Sequence, residues 1–406
     1  MVTKKTEIGV LPSDWSVVTL LDCLCGKPSY GINAPAIAYS PQKPRYIRIT
    51  DITEAGTYSK SSPASVEDVN IDRYYLKKND IVLARTGASV GKSYLYQKDD
   101  GNLVYAGFLI KVSINDIVAD ARYVFACLHT QRYWQWVNTI SVRSGQPGIN
   151  GEEYSAYLLP LPSRTEQATI ADAISDTDRL ISSLQKLIEK KKAIKQGSMQ
   201  ELLTGKKRLP GFYGEWEHVK LKDIILDFIV PMRDKPKDLS GEIPWCRIED
   251  FNGKYLSKSK SGQGVTFDTV NRMNLKIFPK ETLIVSCSAY LGRCAIVKTE
   301  LITNQTFIGL VAKSNISVEF LFYVMCKEEK NLNLLSSGTT ISYLSREQFE
   351  EYLIYIPKDL AEQQSMAQVL SDMDSEIEQL EKKLSKYQQI KQGMMQELLT
   401  GRIRLV

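Results

Sequence analysis

Residues 194–209 read IKQGSMQELLTGKKRL and residues 390–405 read IKQGMMQELLTGRIRL, identical at thirteen of sixteen positions after a shift of 196. A repeat of that length constrains the fold before any local reading, because both copies must adopt one structure and the chain must be a duplicated unit. Upstream the match continues without gaps: EQATIADAISDTDRLISSLQKLIEKKKAIKQG from Glu166 lies over EQQSMAQVLSDMDSEIEQLEKKLSKYQQIKQG from Glu362. In the second copy Leu370, Met373, Ile377, Leu380, Leu384 and Tyr387 recur at alternating steps of three and four, and the first copy has Ile174, Ile181, Leu184 and Ile188 at equivalent places. The spacing predicts two long helices with a coiled-coil seam, each about 39 residues and about 60 Å. Proline-containing strand ends precede both helices, and Gly205 and Gly401 stop them. Gly197 and Gly393 fall inside, where glycine costs about 1 kcal/mol of helix, and are expected to mark a kink or a close helix contact.

Charge decides how such rods pair. The first is acidic early (Glu166, Asp172, Asp176, Asp178) and basic late (Lys186, Lys190, Lys191, Lys192, Lys195, Arg208). The second repeats this, from Glu362, Asp372, Asp374, Glu376, Glu378 and Glu381 to Lys382, Lys383, Lys386, Lys391, Arg402 and Arg404. Antiparallel pairing sets acid against base along the whole length, whereas parallel pairing sets like against like. A second reading of the same pattern is that each helix complements its own macrodipole.

The segments before the helices also correspond. DWSVVTLLDCL (14–24) parallels EWEHVKLKDII (215–225), with Trp15 over Trp216, and YIRITDI (46–52) parallels WCRIEDF (245–251), with Arg48 over Arg247 and Asp51 over Asp250. Both stretches mix short alternating strands with short helices near 120–138 and 317–331. The predicted fold class is therefore α+β: two pseudo-two-fold-related α/β-mixed domains separated by two long helices forming an antiparallel coiled coil. The domain order is 1–163, helix 164–207, 208–358, helix 359–406.

At 406 residues, 43% hydrophobic and 24% charged, the chain has the composition of a globular protein, and no apolar run approaches the ~18 residues of a membrane span. No signal peptide is legible at the start, so the expected location is cytoplasmic, without a membrane partner. Seven scattered cysteines and two histidines leave few zinc ligands, and no metal site is expected; Cys23 and Cys25, at alternate positions, are expected to pack. A net charge of +5 is compatible with a polyanion but does not argue for one.

The two helical repeats, each following a domain that opens on a Trp-containing strand, resemble the specificity subunit of Type I restriction-modification systems over essentially the whole chain. The resemblance implies that each domain is a target recognition domain reading one half of a split site on double-stranded DNA, with the paired helices spanning an unread spacer. It implies two DNA adenine methyltransferase subunits as partners, with restriction subunits as a possible addition. No cofactor is implied for this chain: S-adenosylmethionine, and ATP with magnesium for restriction, belong to the partners. The chain itself is not an enzyme on this reading, and no methyltransferase or nuclease motif is found in it.

Base readout needs polar side chains on loops whose glycines let the backbone approach the duplex. The candidate DNA contacts are Arg85, Thr86, Ser89, Lys92 and Tyr94 in RTGASVGKSY, and Arg143, Ser144, Gln146 and Asn150 in VRSGQPGIN. In the second half they are Ser286, Ser288, Tyr290 and Arg293 in SCSAYLGR, and Ser337, Thr339, Thr340, Ser342 and Tyr343 in SSGTTISYL. Arg48 and Arg247 suit either DNA or an internal pair with Asp51 and Asp250. In RYWQWV (132–137), Tyr133, Trp136 and Val137 share a helix face, which favours core packing over a stacking platform for bases. RTGASVGKS also approximates a phosphate loop, but only three residues separate Gly87 from Gly91 where four are needed, and Ser288 stands for the first glycine in the other half. Two other readings stay open: a coiled-coil scaffold whose globular ends bind proteins or other nucleic acid, and a nucleotide hydrolase built on that loop.

Overall fold

Each repeat forms one continuous 39-residue helix, Arg164–Leu202 and Leu360–Leu398. The computed structural model describes residues 2–142, 148–231, 235–288, 290–335 and 343–405. Ser163 Oγ accepts from Glu166 N–H at 3.3 Å at the first start, and Asp359 Oδ1 accepts from Ala361 N–H at 2.9 Å at the second. At the far ends Gly205 (φ +70°) and Gly401 (φ +68°) take the left-handed conformation that lets the chain fold back on the last carbonyls. Lys207 N–H then reaches Glu201 O at 3.2 Å, and Arg402 N–H reaches Glu397 O at 3.0 Å. The close-contact expectation for Gly197 and Gly393 is corrected: both are exposed, and a Cβ at either would meet nothing within 4 Å.

The chain divides into two compact units, Met1–Gln185 with Lys382–Val406, and Lys186–Glu381. Each unit thus holds the early half of one long helix and the late half of the other, the partnership that antiparallel charge matching predicts. In the first unit Asp178 pairs with Lys391 at 2.6 Å; in the second Lys191 pairs with Glu376 and Lys192 with Glu381, each at 2.6 Å, and Lys195 pairs with Asp374. Of the predicted seam, Ile174, Leu184, Ile188, Leu370 and Ile377 are buried, and Ile181, Met373, Leu380, Leu384 and Tyr387 are half-buried. Each unit's core takes in both helix halves: Ile170, Ile174, Leu398 and Leu399 in the first, Met366, Leu370, Leu202 and Leu203 in the second.

The Glu-Gln pair that opens each repeat explains why the rods stay in register with their domains. Gln167 accepts from Asp120 N–H at 2.9 Å and donates to Pro162 O at 3.0 Å; Gln363 accepts from Ser317 N–H at 2.9 Å and donates to Pro357 O at 2.9 Å. The glutamates bind the end of the opposite helix. Arg208 grips Glu362 through Nε (2.6 Å) and Nη2 (2.7 Å), and Arg404 grips Glu166 the same way while also reaching Asp14 at 2.9 Å. Both carboxylates are buried, and each arginine lies over the unit's opening tryptophan, Trp216 or Trp15. Those tryptophans begin strands Trp216–Lys220 and, one residue on, Ser16–Thr19, which pair antiparallel with the strands leading into the helices, Leu353–Pro357 and Leu158–Leu161.

Each unit also has a larger sheet with one strand order. In the first it runs Ser29–Tyr30, Leu109–Ser113, Asp80–Ala84, Ser93–Leu95; in the second Ile225–Ile229, Phe307–Ala312, Leu283–Ser286, Cys294–Val297, with Tyr255–Leu256 added at the edge. The central strands Asp80–Ala84 and Leu283–Ser286 are buried throughout, which suits their run of β-branched residues. Helices Ala121–Cys127 and Gln131–Ser141, and the single helix Val318–Leu335, fall where the patterning predicts them. Among the described residues no helix is long and apolar enough to cross a membrane.

Candidate nucleic-acid interface

The turn after each buried central strand is the same object built twice. In the first unit Ala84 N–H bonds Lys92 O (2.8 Å), Gly91 N–H bonds Ala84 O (3.0 Å) and Lys92 N–H bonds Ser89 O (3.0 Å). In the second, Ser286 N–H bonds Arg293 O (2.7 Å), Gly292 N–H bonds Ser286 O (3.0 Å) and Arg293 N–H bonds Tyr290 O (3.2 Å). Flanking residues are pinned alike: Arg85 donates to Phe108 O and accepts from Ile149 N–H, and Cys287 donates to Thr306 O and accepts from Leu344 N–H. Arg85 therefore corresponds to Cys287 and Thr86 to Ser288. The ungapped alignment that put Ser288 over Gly87 is corrected, the first turn being one residue longer.

These bonds also remove the phosphate-loop reading from the first turn. The amides of Val90, Gly91 and Lys92, which such a loop aims at phosphate, are all bonded inside the turn, and Lys92 Nζ lies 2.6 Å from Glu54 Oε1. The final glycine is required by geometry in both copies. Gly91 (φ +88°) would place a Cβ 2.7 Å from Val137 Cγ1, and Gly292 (φ +81°) would place one 2.8 Å from Glu329 Cα. Gly292→Ala is expected to destabilise the second unit by about 1–3 kcal/mol, since it adds left-handed strain and meets backbone that cannot give way. Urea unfolding measures this; a change under about 0.5 kcal/mol would show the turn to be pliable.

The structure sorts the predicted contacts. Arg85 is half-buried, its guanidinium carbon 4.8 Å from the Tyr30 ring centre. Thr86, Ser89 and Ser288 are half-buried on the ledge that each turn forms with its flanking residues; Tyr290 and Tyr343 are exposed, and Arg293 is exposed with its guanidinium 4.9 Å from the Tyr290 ring. Two assignments are corrected by burial. Tyr94 is inside the first unit and donates to Asp100 Oδ2 at 2.7 Å, its phenol pushed up chiefly by desolvation; Ser286 is buried and donates to Ser288 O at 2.8 Å. Asn150 does local work, its Oδ1 capping a short helix by accepting from Glu152 and Glu153 N–H, each at 2.9 Å. Ser345 takes the matching role in the second unit, accepting from Gln348 N–H at 3.3 Å. Arg143, Ser144 and Gln146, and Ser337, Thr339, Thr340 and Ser342, lie outside the described residues.

Sequence reasoning missed two aromatic side chains on the first ledge. Phe108 is 60% exposed and its carbonyl holds Arg85; Tyr30 is 43% exposed and its hydroxyl accepts from Gly151 N–H at 3.1 Å. A search keyed to charge passed over both, though an aromatic directly after the Ala-Gly of YAGF was a usable signal. Other expectations resolve inside the fold. Arg48 makes a bidentate pair with Asp51 at 2.8 Å, while Arg247 turns its side chain to Glu249 and Gln263. Tyr133 and Val137 are buried, and Trp136 packs 4.9 Å from the Tyr157 ring. Cys23 is buried as expected, but Cys25 is exposed, because Cys23 closes a short 3-10 turn and the two do not share a strand face.

Comparison with known proteins points in one direction. The family described as Type I restriction modification DNA specificity domain matches residues 12–196 and 213–392. The putative type I restriction enzyme MjaX specificity subunit of Methanocaldococcus jannaschii is 27% identical, with 99% of this chain and 96% of that protein covered. The MjaVIII specificity subunit of the same organism is 25% identical, with 97% and 94% covered. The crystal structure of a Type I restriction-modification S subunit from M. genitalium superposes with a TM-score of 0.64 at 16% identity, covering 95% of this chain and 96% of that one.

Proposed function

This chain belongs to the Type I restriction modification DNA specificity family, and we propose that it reads a bipartite site on double-stranded DNA, one half-site per unit, across an unread spacer. As a specificity subunit its task is DNA sequence recognition. The observation that carries the finer reading is the duplicated ledge: two turns with matched backbone bonds, each ending an all-buried strand and each presenting an arginine stacked on a tyrosine. The arginines stand at different places, Arg85 at the opening of the first turn and Arg293 at the close of the second, so the two units offer different donor patterns to their half-sites. Two copies of one scaffold with different side chains suit an asymmetric split sequence.

On this reading the subunit is non-catalytic, and two DNA adenine methyltransferase subunits dock on it; restriction subunits are an addition that such an assembly can take. S-adenosylmethionine, and ATP with magnesium, are used by those partners. Leu180 and Ile390 in the first unit and Leu187 and Ile194 in the second are exposed apolar side chains on the long helices, outside the seam, and on this reading contribute to that docking. Footprinting the chain together with its methyltransferase partner is expected to show two protected patches flanking an unprotected spacer, with methylated adenines in cells mapping to that split motif. Binding without sequence preference would favour the scaffold reading instead.

A further inference from the structure

Arg85 is the ledge residue that the fold prepares most thoroughly without using it. Its backbone is held on both sides, by Phe108 O at 3.0 Å and by Ile149 N–H at 2.9 Å, so its Cα has little freedom. Its guanidinium lies against Tyr30, whose own hydroxyl is anchored by Gly151 N–H. Its Nε is buried, yet no described residue accepts a hydrogen bond from it, and its guanidinium forms no ion pair among the described residues. Other cations of the first unit are committed: Lys92 to Glu54, Arg48 to Asp51, and Arg122 to Asp120 and Asp172. Nε itself is enclosed, so the donors left to meet a ligand are the terminal Nη nitrogens, which bond no described residue.

From this geometry we infer that Arg85, oriented by Tyr30, reads a guanine through its major-groove edge in the half-site bound by the first unit. The inference rests on the DNA-reading function proposed above and assigns one base to one residue. A planar fork of donors matches the adjacent O6 and N7 acceptors of guanine, and adenine presents a donor where guanine has O6. A phosphate contact needs only a mobile cation, and the stacking on Tyr30 and the pinned backbone would be superfluous for it. The second unit has no counterpart at this position, because Cys287 there is buried, its thiol pushed up to about 11 by desolvation, and offers no fork.

The test is selection from a DNA library randomised across both half-sites, using the full chain with its methyltransferase partner. The intact chain is expected to enrich a G·C pair at one position of the first half-site. Arg85→Ala should lose that preference by roughly 10- to 100-fold while the other positions, including the whole second half-site, keep theirs. Arg85→Met, which keeps the length and removes every donor, should show the same loss at that position; Arg85→Lys, whose ammonium can still donate to O6 and N7, and Tyr30→Ala should each show a smaller one. Should Arg85→Ala fail to fold, Arg85→Met decides. An even fall in affinity across all sequences with a shallower salt dependence would make Arg85 a phosphate contact and overturn the inference, leaving the DNA-reading function intact. Lost preference at an A·T position would overturn it too. An intact chain that selects no sequence would defeat the DNA-reading function itself.

Discussion

Arg208→Met is expected to lower the unfolding free energy of the second unit by about 3–5 kcal/mol, because it strands a buried carboxylate. Glu362 has no measurable exposure, 0%, and receives two charge-assisted hydrogen bonds from Arg208, at 2.6 and 2.7 Å. Methionine keeps much of the arginine's length against Trp216 but supplies no charge and no donor. The double variant Arg208→Met/Glu362→Leu should recover most of the loss, since replacing both partners by apolar groups removes the penalty as well as the attraction. The equivalent change in the first unit, Arg404→Met, is expected to cost less. There Glu166 keeps a second donor, Trp15 Nε1 at 3.2 Å, whereas Trp216 Nε1 is buried with no partner among the described residues. Urea unfolding followed by tryptophan fluorescence reads both; a loss below about 1 kcal/mol for Arg208→Met would show that the exchange of helix ends is not what holds the unit.

The second large effect concerns spacer length. A four-residue insertion near Gln196, the simplest way to lengthen one rod, falls between Lys195 and Arg208. Both grip the second helix, at Asp374 and Glu362, and after such an insertion they could not do so together. The compact units part at Gln185/Lys186 in one helix and at Glu381/Lys382 in the other. Inserting one heptad at both points leaves every ion pair cited above within its own unit and preserves the seam. The added length is about 10.5 Å, or roughly three base pairs of B-DNA. Methylated motifs mapped in cells carrying this variant are expected to show both half-sites unchanged and a spacer longer by about that amount. Altered half-site sequences would refute the division of labour between helices and domains.

What the sequence revealed about this chain, it revealed through periodicity. The two helices, their length, the seam from Ile174 to Ile188 and from Leu370 to Tyr387, and the antiparallel pairing all follow from spacing and charge order along a single element. The core assignment of Tyr133 and Val137 was legible for the same reason, since a helix face can be drawn from sequence alone. The family resemblance rested on those repeats, and the comparisons agree with it.

The ledge was only half legible. Charge and glycine pointed to two turns that the fold builds alike, but not to which side chains leave them. Tyr94 and Ser286 belong to alternating strand runs, and only sheet packing decides that both face inward. Asn150 reads as a free amide until the helix it caps is in place. The correspondence of Arg85 with Cys287 needed the bonds to Phe108 and Ile149, 23 and 64 residues further along the chain, and to Thr306 and Leu344 in the other half. Likewise, Glu166 and Glu362 stood out in the repeat, but their partners lie across 238 and 154 residues of sequence. Helical pattern is a local property, written every three or four residues, so the sequence by itself determined the rods and their direction. Which loop side chains stay exposed, and which helix end closes which unit, depend on pairings between distant segments, and only the tertiary structure decided those.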